Sequence, residues 1–310
     1  MVADNRSLIA VRGTQSARGL LGALQRVGTR IRARADSAVD ALLGAEAVDR
    51  IENLVHRSGA AGVDPFGFDP HVAKYAVLVA RAISRSWFRT ECFGLENVPV
   101  GRTLLISNHS GQLPLDGLAI GIAMLLDSDP PRFVRSMVEK WTATLPFVST
   151  LFPRCGQIVG VPENCERLLE MDETVLVFPE GARGISKTFD QRYKLAEFGL
   201  GFMRLALQTN TPVVPVAVVG AEEQYVSVAN LTRVAKLFGA PALPVLPQLL
   251  IPGGFLPLPT KYRVYFGEPM TFSGDADDDD AVIEEKVWVV KATIQSMLNR
   301  GIKDRKHIFY

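Results

Sequence analysis

The sequence has few of the residues that mark secreted, membrane-spanning or metal-binding proteins. Only three of its 310 residues are cysteine, and they lack the C-x-x-C pairs of a structural zinc site. The four histidines, at positions 56, 71, 109 and 307, are too scattered to predict a metal cluster. No run approaches the roughly 18 to 20 apolar residues that cross a bilayer, and the N-terminus has too many arginines for a secretory signal. We therefore expect a cytoplasmic protein with reduced thiols, no spanning helix and no metal or other cofactor.

Motifs of several common enzyme classes are also missing. The chain has no G-x-S-x-G nucleophile elbow, no G-x-x-x-x-G-K-[ST] phosphate loop and no G-x-G-x-x-G dinucleotide turn. Its net charge is only +1, so the whole molecule is not predicted to bind nucleic acid or another polyanion.

Positive charge is concentrated at the N-terminus instead. Residues 1–34 contain seven arginines against one acidic residue, Asp4. The apolar residues there recur at helical spacing, at Leu20, Leu24, Val27 and Ile31. This pattern predicts a basic amphipathic arm over residues 1–35, which either docks on anionic lipid, packs on the rest of the protein or is disordered.

The remaining chain is predicted to form a helical segment, residues 36–89, and a domain, residues 90–310. Helices are expected at 36–58 and 71–88, separated by a turn-rich stretch. Beyond residue 90, strands are expected at 103–107, 132–137, 156–161, 174–178, 212–220 and 262–268. Helices are expected at 115–127, 163–170 and 194–209, with a final helix that carries Val282 to Met297. Apolar strands alternating with helices predict an α/β sheet covered by helices on both faces.

One segment, residues 237–262, fits neither element type. It is rich in proline, glycine and leucine and has no charge until Lys261. Proline at this density argues against a helix and against a central strand. Such a loop is either buried in its own domain, covers a lipid chain or dips into a bilayer.

A candidate catalytic pair follows the strand at 103–107. The strand runs into Asn-His-Ser-Gly, and Asp116 opens the next helix. In α/β sheets, ligands bind in the loops that follow the strands. A carboxylate bonded to one nitrogen of His109 leaves the other nitrogen free to act as a general base. The alternatives are a structural histidine and an acid that stabilises a helix N-terminus. Ser110 is a poor nucleophile candidate, because adjacent residues of an extended chain point in opposite directions.

A second strand end carries the sequence VFPEGARG, residues 177–184. Pro179 and Gly181 predict a tight turn with outward backbone N–H groups, and Glu180 supplies an anion. Arg183 offers a bidentate fork for phosphate. Alone, this pattern is often only a salt-bridged turn. Two such strand ends in one domain favour a functional site.

Together the motifs resemble the phospholipid and glycerol acyltransferase family, which includes glycerol-3-phosphate and 1-acylglycerol-3-phosphate acyltransferases. In that family a strand-end N-H motif with a downstream aspartate, an F-P-E-G-x-R motif and a V-P-V motif occur in this order. Here they are Asn108-His109 with Asp116, FPEGAR at 178–183 and VVPVAV at 213–218. The order and approximate spacing match over about residues 85–270. The resemblance implies a mixed, largely parallel sheet and an O-acyltransferase that forms no covalent enzyme intermediate.

The resemblance also implies roles for individual residues. His109 would deprotonate the acceptor hydroxyl, which attacks the thioester of acyl-CoA or acyl-carrier protein as co-substrate, and Asp116 would orient the histidine. The implied substrate-binding residues are Asn108, Glu180, Gly181 and Arg183. The implied acyl pocket lies around Val214 and Pro215.

The sequence departs from the family pattern in two places. Six residues separate His109 from Asp116 where the family has four, so the loop must bulge. The family's second motif, a glycine followed by a basic residue, has no Lys or Arg until Arg167; Arg154 and Lys140 are the candidates to bind phosphate instead. If neither serves, the acceptor lacks phosphate, as in the neutral-glycerolipid branch.

The leading interpretation is a membrane-associated enzyme of phospholipid biosynthesis that acylates lysophosphatidate or glycerol 3-phosphate. It is expected to act as a peripheral protein at the cytoplasmic face of a membrane, through residues 1–34, residues 237–262 or both. Three alternatives stay open: a mono- or diacylglycerol acyltransferase, a thioesterase in which water replaces the acceptor, and a catalytically silent lipid-binding protein of the same fold.

Overall fold

The computed structural model describes residues 25–55, 64–231, 234–235 and 242–309. Most of the predicted basic arm, residues 1–24, lies outside the described residues, as does the beginning of the proline-rich segment, residues 237–241. The chain divides into two compact units, with the boundary between Asp49 and Arg50. Residues 25–43 are helical, and Gly44, with φ at +85°, separates them from helix α1 (Ala45–Val55). The helix predicted over 36–58 is therefore interrupted, because glycine readily adopts the left-handed backbone that ends a helix.

The second unit is built on a seven-stranded sheet. Its strands are β1 (Glu91–Phe93), β2 (Thr103–Ser107), β3 (Val134–Val138), β4 (Ile158–Val159), β5 (Thr174–Val177), β6 (Val213–Val219) and β9 (Arg263–Phe266). The order across the sheet is β1-β9-β6-β2-β5-β3-β4, and all pairings are parallel except that of β6 with β9. Two further strands, β7 (Ala229–Asn230) and β8 (Pro244–Val245), form a separate antiparallel pair. The predicted mixed, largely parallel sheet is confirmed.

Helices cover both faces of this sheet. The helices after α1 are α2 (Pro70–Ala82), α3 (Leu115–Leu126), α4 (Val148–Arg154), α5 (Pro162–Glu170), α6 (Ala182–Ile185), α7 (Gly201–Thr209) and α8 (Asp280–Asp304). One apolar layer contains the buried faces of α5, α7 and α8, and the other contains α3 with Phe88 and Tyr262. Helices on both sides explain why every residue of β2 and β6 is buried. None of the described helices has both the length and the apolar character that crossing a bilayer requires.

Strand β6 contains a proline although it lies in the middle of the sheet, where a missing N–H normally breaks the ladder. β6 pairs with β2 through residues 213–216 and with β9 through residues 216–219. Pro215 therefore lies just before the pairing with β9 begins, and its carbonyl still accepts a hydrogen bond from Gly267 N at 2.8 Å. Because β9 ends at Phe266, opposite Val216, no strand residue pairs with Pro215 on that side, and its missing N–H breaks no hydrogen bond of the ladder.

Several elements differ from the sequence prediction, and the start of α7 and strand β1 are two of them. The helix predicted over 194–209 begins only at Gly201. The residues before Gly201 are not helical, because the N–H groups of Leu195 and Ala196 donate instead to the side chains of Gln295 and Glu180, at 3.3 and 2.7 Å. Strand β1 was not predicted, since three residues are too few to show an alternation.

The proline-rich segment forms a lobe of exposed apolar residues. We call residues 243–258 the apolar lobe; its exposed members are Leu243, Val245, Leu249, Leu250, Ile251, Phe255 and Leu256. Leu250 is 88% and Phe255 71% exposed. The interpretation that this segment is buried in its own domain is wrong for residues 243–258, whose large apolar side chains are mostly exposed, whereas Thr260 and Tyr262 at its end are buried.

Candidate active site

Four loops converge at one edge of the sheet. β2, β3, β5 and β6 run parallel, so their carboxyl ends meet there. The loops that follow carry His109 after β2, Lys140 after β3, the FPEGARG turn after β5 and residues 220–224 after β6. This is the edge at which open α/β sheets bind ligands.

His109 and Asp116 form a buried pair at this edge. The Nδ1 atom of His109 lies 2.9 Å from Oδ2 of Asp116, and the same oxygen accepts a hydrogen bond from Ser110 N at 2.9 Å. The other oxygen, Oδ1, accepts from Gly117 N at 2.8 Å, and the Asp116 side chain is completely buried. The carboxylate is thus fixed by two backbone donors, and the bond to Nδ1 leaves Nε2 as the nitrogen available for chemistry.

The imidazole ring of His109 is held from two further directions. It stacks on the ring of Phe178, with centroids 4.0 Å apart, and its backbone N donates to Oε1 of Glu180 at 2.9 Å. His109 is 9% exposed, and within the described ranges no hydrogen bond is formed by Nε2. The ring is therefore immobilised with one free nitrogen near the surface. The neighbouring Ser110 hydroxyl is buried and, among the described residues, lacks a hydrogen-bond partner, which does not favour it as a nucleophile.

The expected bulge between His109 and Asp116 is present. Gly111 and Gln112 both have positive φ, +84° and +65°. The side-chain amide of Gln224 donates to the carbonyl oxygens of Gly111 and Leu113, at 2.6 and 3.0 Å. A Cβ atom on Gly111 would lie 2.0 Å from Nε2 of Gln224. Sequence reasoning missed Gln224, which lies five residues beyond the end of β6.

Glu180 faces the interior rather than a ligand. Its side chain is completely buried, and its oxygens accept from the backbone N atoms of His109 and Ala196, at 2.9 and 2.7 Å. The sequence prediction made Glu180 a substrate-binding residue; in this structure its carboxylate instead joins the histidine loop to the segment before α7. Gly184 is close-packed in the same turn, since a Cβ there would lie 2.8 Å from Cβ of His109.

Two predicted cationic residues are exposed at the carboxyl edge. Arg183 donates to the carbonyl oxygen of Glu197 at 3.0 Å, and its side chain is otherwise open to solvent. Lys140, also exposed, follows Glu139, whose Oε1 accepts from Ala182 N at 3.3 Å. A Cβ on Gly181 would lie 2.7 Å from the same Oε1, so this glycine lets the two loops touch. Arg183 and Lys140 therefore lie on loops that are in contact.

Three other predicted site residues do not line this site. Asn108 is fully buried, and its side chain bridges to the backbone of Val218 through both amide atoms, at 2.8 and 3.2 Å. Val214 and Pro215 are buried strand residues that pack between sheet and helices, so they do not form an open acyl pocket. Arg154 is exposed at the C-terminal end of α4, and its carbonyl oxygen accepts a hydrogen bond from Asp69 N at 3.1 Å.

An apolar cavity of about 190 Å³ lies beside the carboxyl ends of β3 and β4. Its lining includes Phe66, Val138, Val148, Phe152, Ile158 and Val159. Val138 directly precedes Glu139, which contacts the FPEGARG turn. The cavity is thus next to the histidine edge, in a place that the sequence did not indicate.

A buried ionic cluster lies behind the histidine loop. Nζ of Lys187 is 2.8 Å from Oε1 of Glu222 and 3.4 Å from Oε2 of Glu180. Burial raises the pKa of Glu222 to about 7, although Lys187 acts in the opposite direction. Burial alone would lower the pKa of Lys187, but Glu222 and Glu180 outweigh it and the net pKa is raised. Sequence reasoning missed Lys187 and Glu222.

The chain is similar to known proteins across the region that holds this site. A family model described as Acyltransferase matches residues 89–219. An uncharacterized protein of Mycobacterium leprae is 38% identical over 261 residues, which cover 82% of this chain and 71% of the relative. An uncharacterized protein of Mycobacterium tuberculosis is 37% identical over 261 residues, with 82% and 73% covered. The crystal structure of the 1-acyl-sn-glycerophosphate acyltransferase PlsC from Thermotoga maritima is 17% identical, has a TM-score of 0.49, and covers 76% of this chain and 83% of that one.

Proposed function

Because this chain belongs to the acyltransferase family and is an acyltransferase, we propose that it transfers a fatty acyl group from a thioester to the hydroxyl of a glycerolipid. The donor is acyl-CoA or acyl-carrier protein, and the acceptor is lysophosphatidate or glycerol 3-phosphate. The observation that carries this proposal is the 2.9 Å contact between Nδ1 of His109 and Oδ2 of Asp116, which leaves Nε2 free.

The proposed reaction needs one base and no covalent enzyme intermediate. Nε2 of His109 takes the proton of the acceptor hydroxyl as its oxygen attacks the thioester carbonyl carbon. Asp116 stabilises the imidazolium that results. The tetrahedral intermediate then expels the thiolate, which takes the proton back from Nε2, so the products are an ester and a free thiol. A positioned base of this kind typically accelerates a reaction by about 10²- to 10⁴-fold.

A phosphate-bearing acceptor is supported by charge at the same edge. Arg183 and Lys140 are exposed cations on loops that are in contact. A guanidinium group can bind two phosphate oxygens at once, and an ammonium group adds a point charge. We place the acyl chain in the apolar cavity beside Val138, because the predicted pocket at Val214 and Pro215 is filled by core packing.

A peripheral position at the cytoplasmic face of a membrane is also part of the proposal. The apolar lobe is anchored next to the histidine loop, because Gln224, which holds that loop, accepts a hydrogen bond from Leu258 N at 2.8 Å through its own carbonyl. On the other side of the site, Leu145, Phe147 and Leu151 follow β3 and are exposed, Phe147 by 88%. Apolar side chains around a lipid-processing site favour insertion at a bilayer surface. The basic arm, residues 1–34, would add attraction to anionic lipid.

The direct test measures free thiol released from oleoyl-CoA. The acceptors are lysophosphatidate, glycerol 3-phosphate, monoacylglycerol and none, and the proteins are wild type, His109→Ala and His307→Ala. His307 is an exposed histidine near the C-terminus and serves as the matched control. We expect release that requires a phosphorylated acceptor, persists in His307→Ala and falls at least about 10²-fold in His109→Ala.

Other results would redirect the assignment. Release without any acceptor would identify a thioesterase, and dependence on monoacylglycerol would identify a neutral acceptor. Full activity of His109→Ala would overturn the assignment of the base.

A further inference from the structure

Lys187 is a buried cation that the proposed reaction does not use directly. Its side chain is 9% exposed, and its ammonium group contacts three acceptors. These are Oε1 of Glu222, Oε2 of Glu180 and the carbonyl oxygen of Lys194, at 2.8, 3.4 and 3.3 Å. They come from the turn after β6, the turn after β5 and the segment before α7. One ammonium group therefore joins three of the segments that surround the histidine loop.

Two connections run from Lys187 to His109. Oε1 of Glu180 accepts a hydrogen bond from His109 N. Its Oε2 accepts hydrogen bonds from Ala196 N and from the ammonium group of Lys187. In addition, the side chain of Gln112 in the histidine loop donates to the carbonyl oxygen of Lys187 at 2.9 Å. The backbone of His109 is thus held by a carboxylate whose charge is balanced by Lys187.

Among the residues that the structure describes, Lys187 is the cation paired with both carboxylates of this cluster. Glu180 and Glu222 are both buried and both face Lys187. Glu223, which follows Glu222, pairs with Arg305 at 2.7 Å, and both contact the hydroxyl of Tyr193. With Lys187 in place the pKa of Glu222 is already about 7; without Lys187, the two buried carboxylates would share a proton up to a still higher pH. A protonated carboxyl group loses acceptor capacity at the oxygen that carries the proton.

We propose that Lys187 is a positioning residue for acyl transfer: it neutralises Glu180 and Glu222 so that Glu180 can accept both backbone N–H groups and hold His109 in place. The inference rests on the proposed role of His109 as the base. Lys187 touches no reacting atom in this scheme, and its effect reaches the substrate only through the geometry of the histidine.

The first test compares Lys187→Met with Lys194→Met. Methionine keeps the apolar stem of lysine and removes the charge, and Lys194 is an exposed lysine in the same segment. We expect Lys187→Met to lower kcat at least about tenfold at pH 7 with the acceptor KM changed less than about twofold. Its acidic limb of kcat/KM should move to higher pH by about one unit, because the carboxylates ionise only there. Lys194→Met should match wild type.

A second measurement does not depend on activity. Amide hydrogen exchange of residues 107–113, followed by mass spectrometry, reports the bond from His109 N to Glu180. Exchange of this segment should be at least about tenfold faster in Lys187→Met than in Lys194→Met. If no acceptor supports acyl transfer but this difference is found, the proposed function fails while the positioning role stands.

Two results would overturn the positioning role. One is a Lys187→Met enzyme that loses activity with an unshifted pH profile and unchanged exchange at 107–113. The other is an equal change in Lys194→Met, which would show that the effect is not specific to the buried charge.

Discussion

Oδ2 of Asp116 forms hydrogen bonds with both Nδ1 of His109 and the backbone N of Ser110, each at 2.9 Å. One carboxylate oxygen thus sets the orientation of the ring and the path of the chain beside it. Six residues separate the two side chains, and the bulge at Gly111 and Gln112 accommodates them.

Asp116→Asn should lower kcat by about 10²- to 10⁴-fold, because an amide nitrogen facing Nδ1 favours the wrong tautomer and cannot stabilise the imidazolium. The amide has the same shape, but its NH2 group must face the N–H of Ser110 or of Gly117, so the variant should fold with a loss of roughly 1 to 3 kcal/mol in stability. Steady-state kinetics with a saturating acceptor measure the effect. Asp127→Asn, which alters a partly exposed ion pair with Arg85, is the control and should retain activity. Equal losses in both variants would contradict the orienting role.

Gly111→Ala should destabilise the protein by at least about 2 kcal/mol, because both the positive φ and the contact with Gln224 oppose a Cβ atom. Gly101 has φ at +94°, and no atom lies within 4 Å of the position that a Cβ would take there, so Gly101→Ala should cost only about 1 kcal/mol. Urea denaturation of both variants separates backbone strain from the clash. Equal stabilities would show that the histidine loop adapts.

Glu222 should make the stability of the protein depend on pH. Its pKa is raised from 4.5 to about 7 in the folded protein, mainly by burial. Between these values the unfolded chain has released the proton that the folded chain retains, so the free energy of unfolding falls as pH rises. The loss is up to about 3 kcal/mol and should be complete above pH 7. Glu222→Gln should flatten this dependence in urea titrations at pH 5 and 8, while Glu197→Gln, at a side chain 83% exposed, should not.

The apolar lobe should be needed for binding to membranes. Leu250→Asp/Phe255→Asp should reduce co-sedimentation with phosphatidylcholine–phosphatidylglycerol vesicles at least about tenfold, because each buried apolar side chain contributes roughly 1.5 to 3 kcal/mol. Val100→Asp is the matched control, since Val100 is 79% exposed but precedes β2 at the opposite edge. Activity on a short-chain, water-soluble acceptor should be retained in all variants. Unchanged sedimentation of the double variant would remove the lobe from the proposal.

Much of the fold is predictable from short-range patterns. Apolar runs bounded by turn residues located β2, β5 and β6, and helical periodicity located α3 and α8. The direction of β9 was not predictable, because a run such as Arg263–Phe266 reads the same in a parallel or an antiparallel ladder. The predicted start of α7 was wrong because the side chains of Glu180 and Gln295, distant in sequence, accept the N–H groups of residues 195 and 196.

The site was predictable in its residue types and less so in their orientation. The pairing of His109 with Asp116 followed from strand-end chemistry, and the side chains do meet. Whether Glu180 and Asn108 face a ligand or the interior depends on partners at residues 187, 196 and 218, which no local pattern reveals. Lys187 was missed for the same reason, since a lysine in a polar loop normally indicates solvent exposure.

The strand order has a consequence for how the chain assembles during synthesis. β6, β2, β5, β3 and β4 are contiguous in the sheet and are all complete once residue 219 has been made. β1 is made earlier, yet its neighbour β9 arrives only with residues 263–266. A ribosome-bound chain can therefore form the five adjacent strands that carry the histidine loop while β1 is still unpaired, because β9 emerges only later.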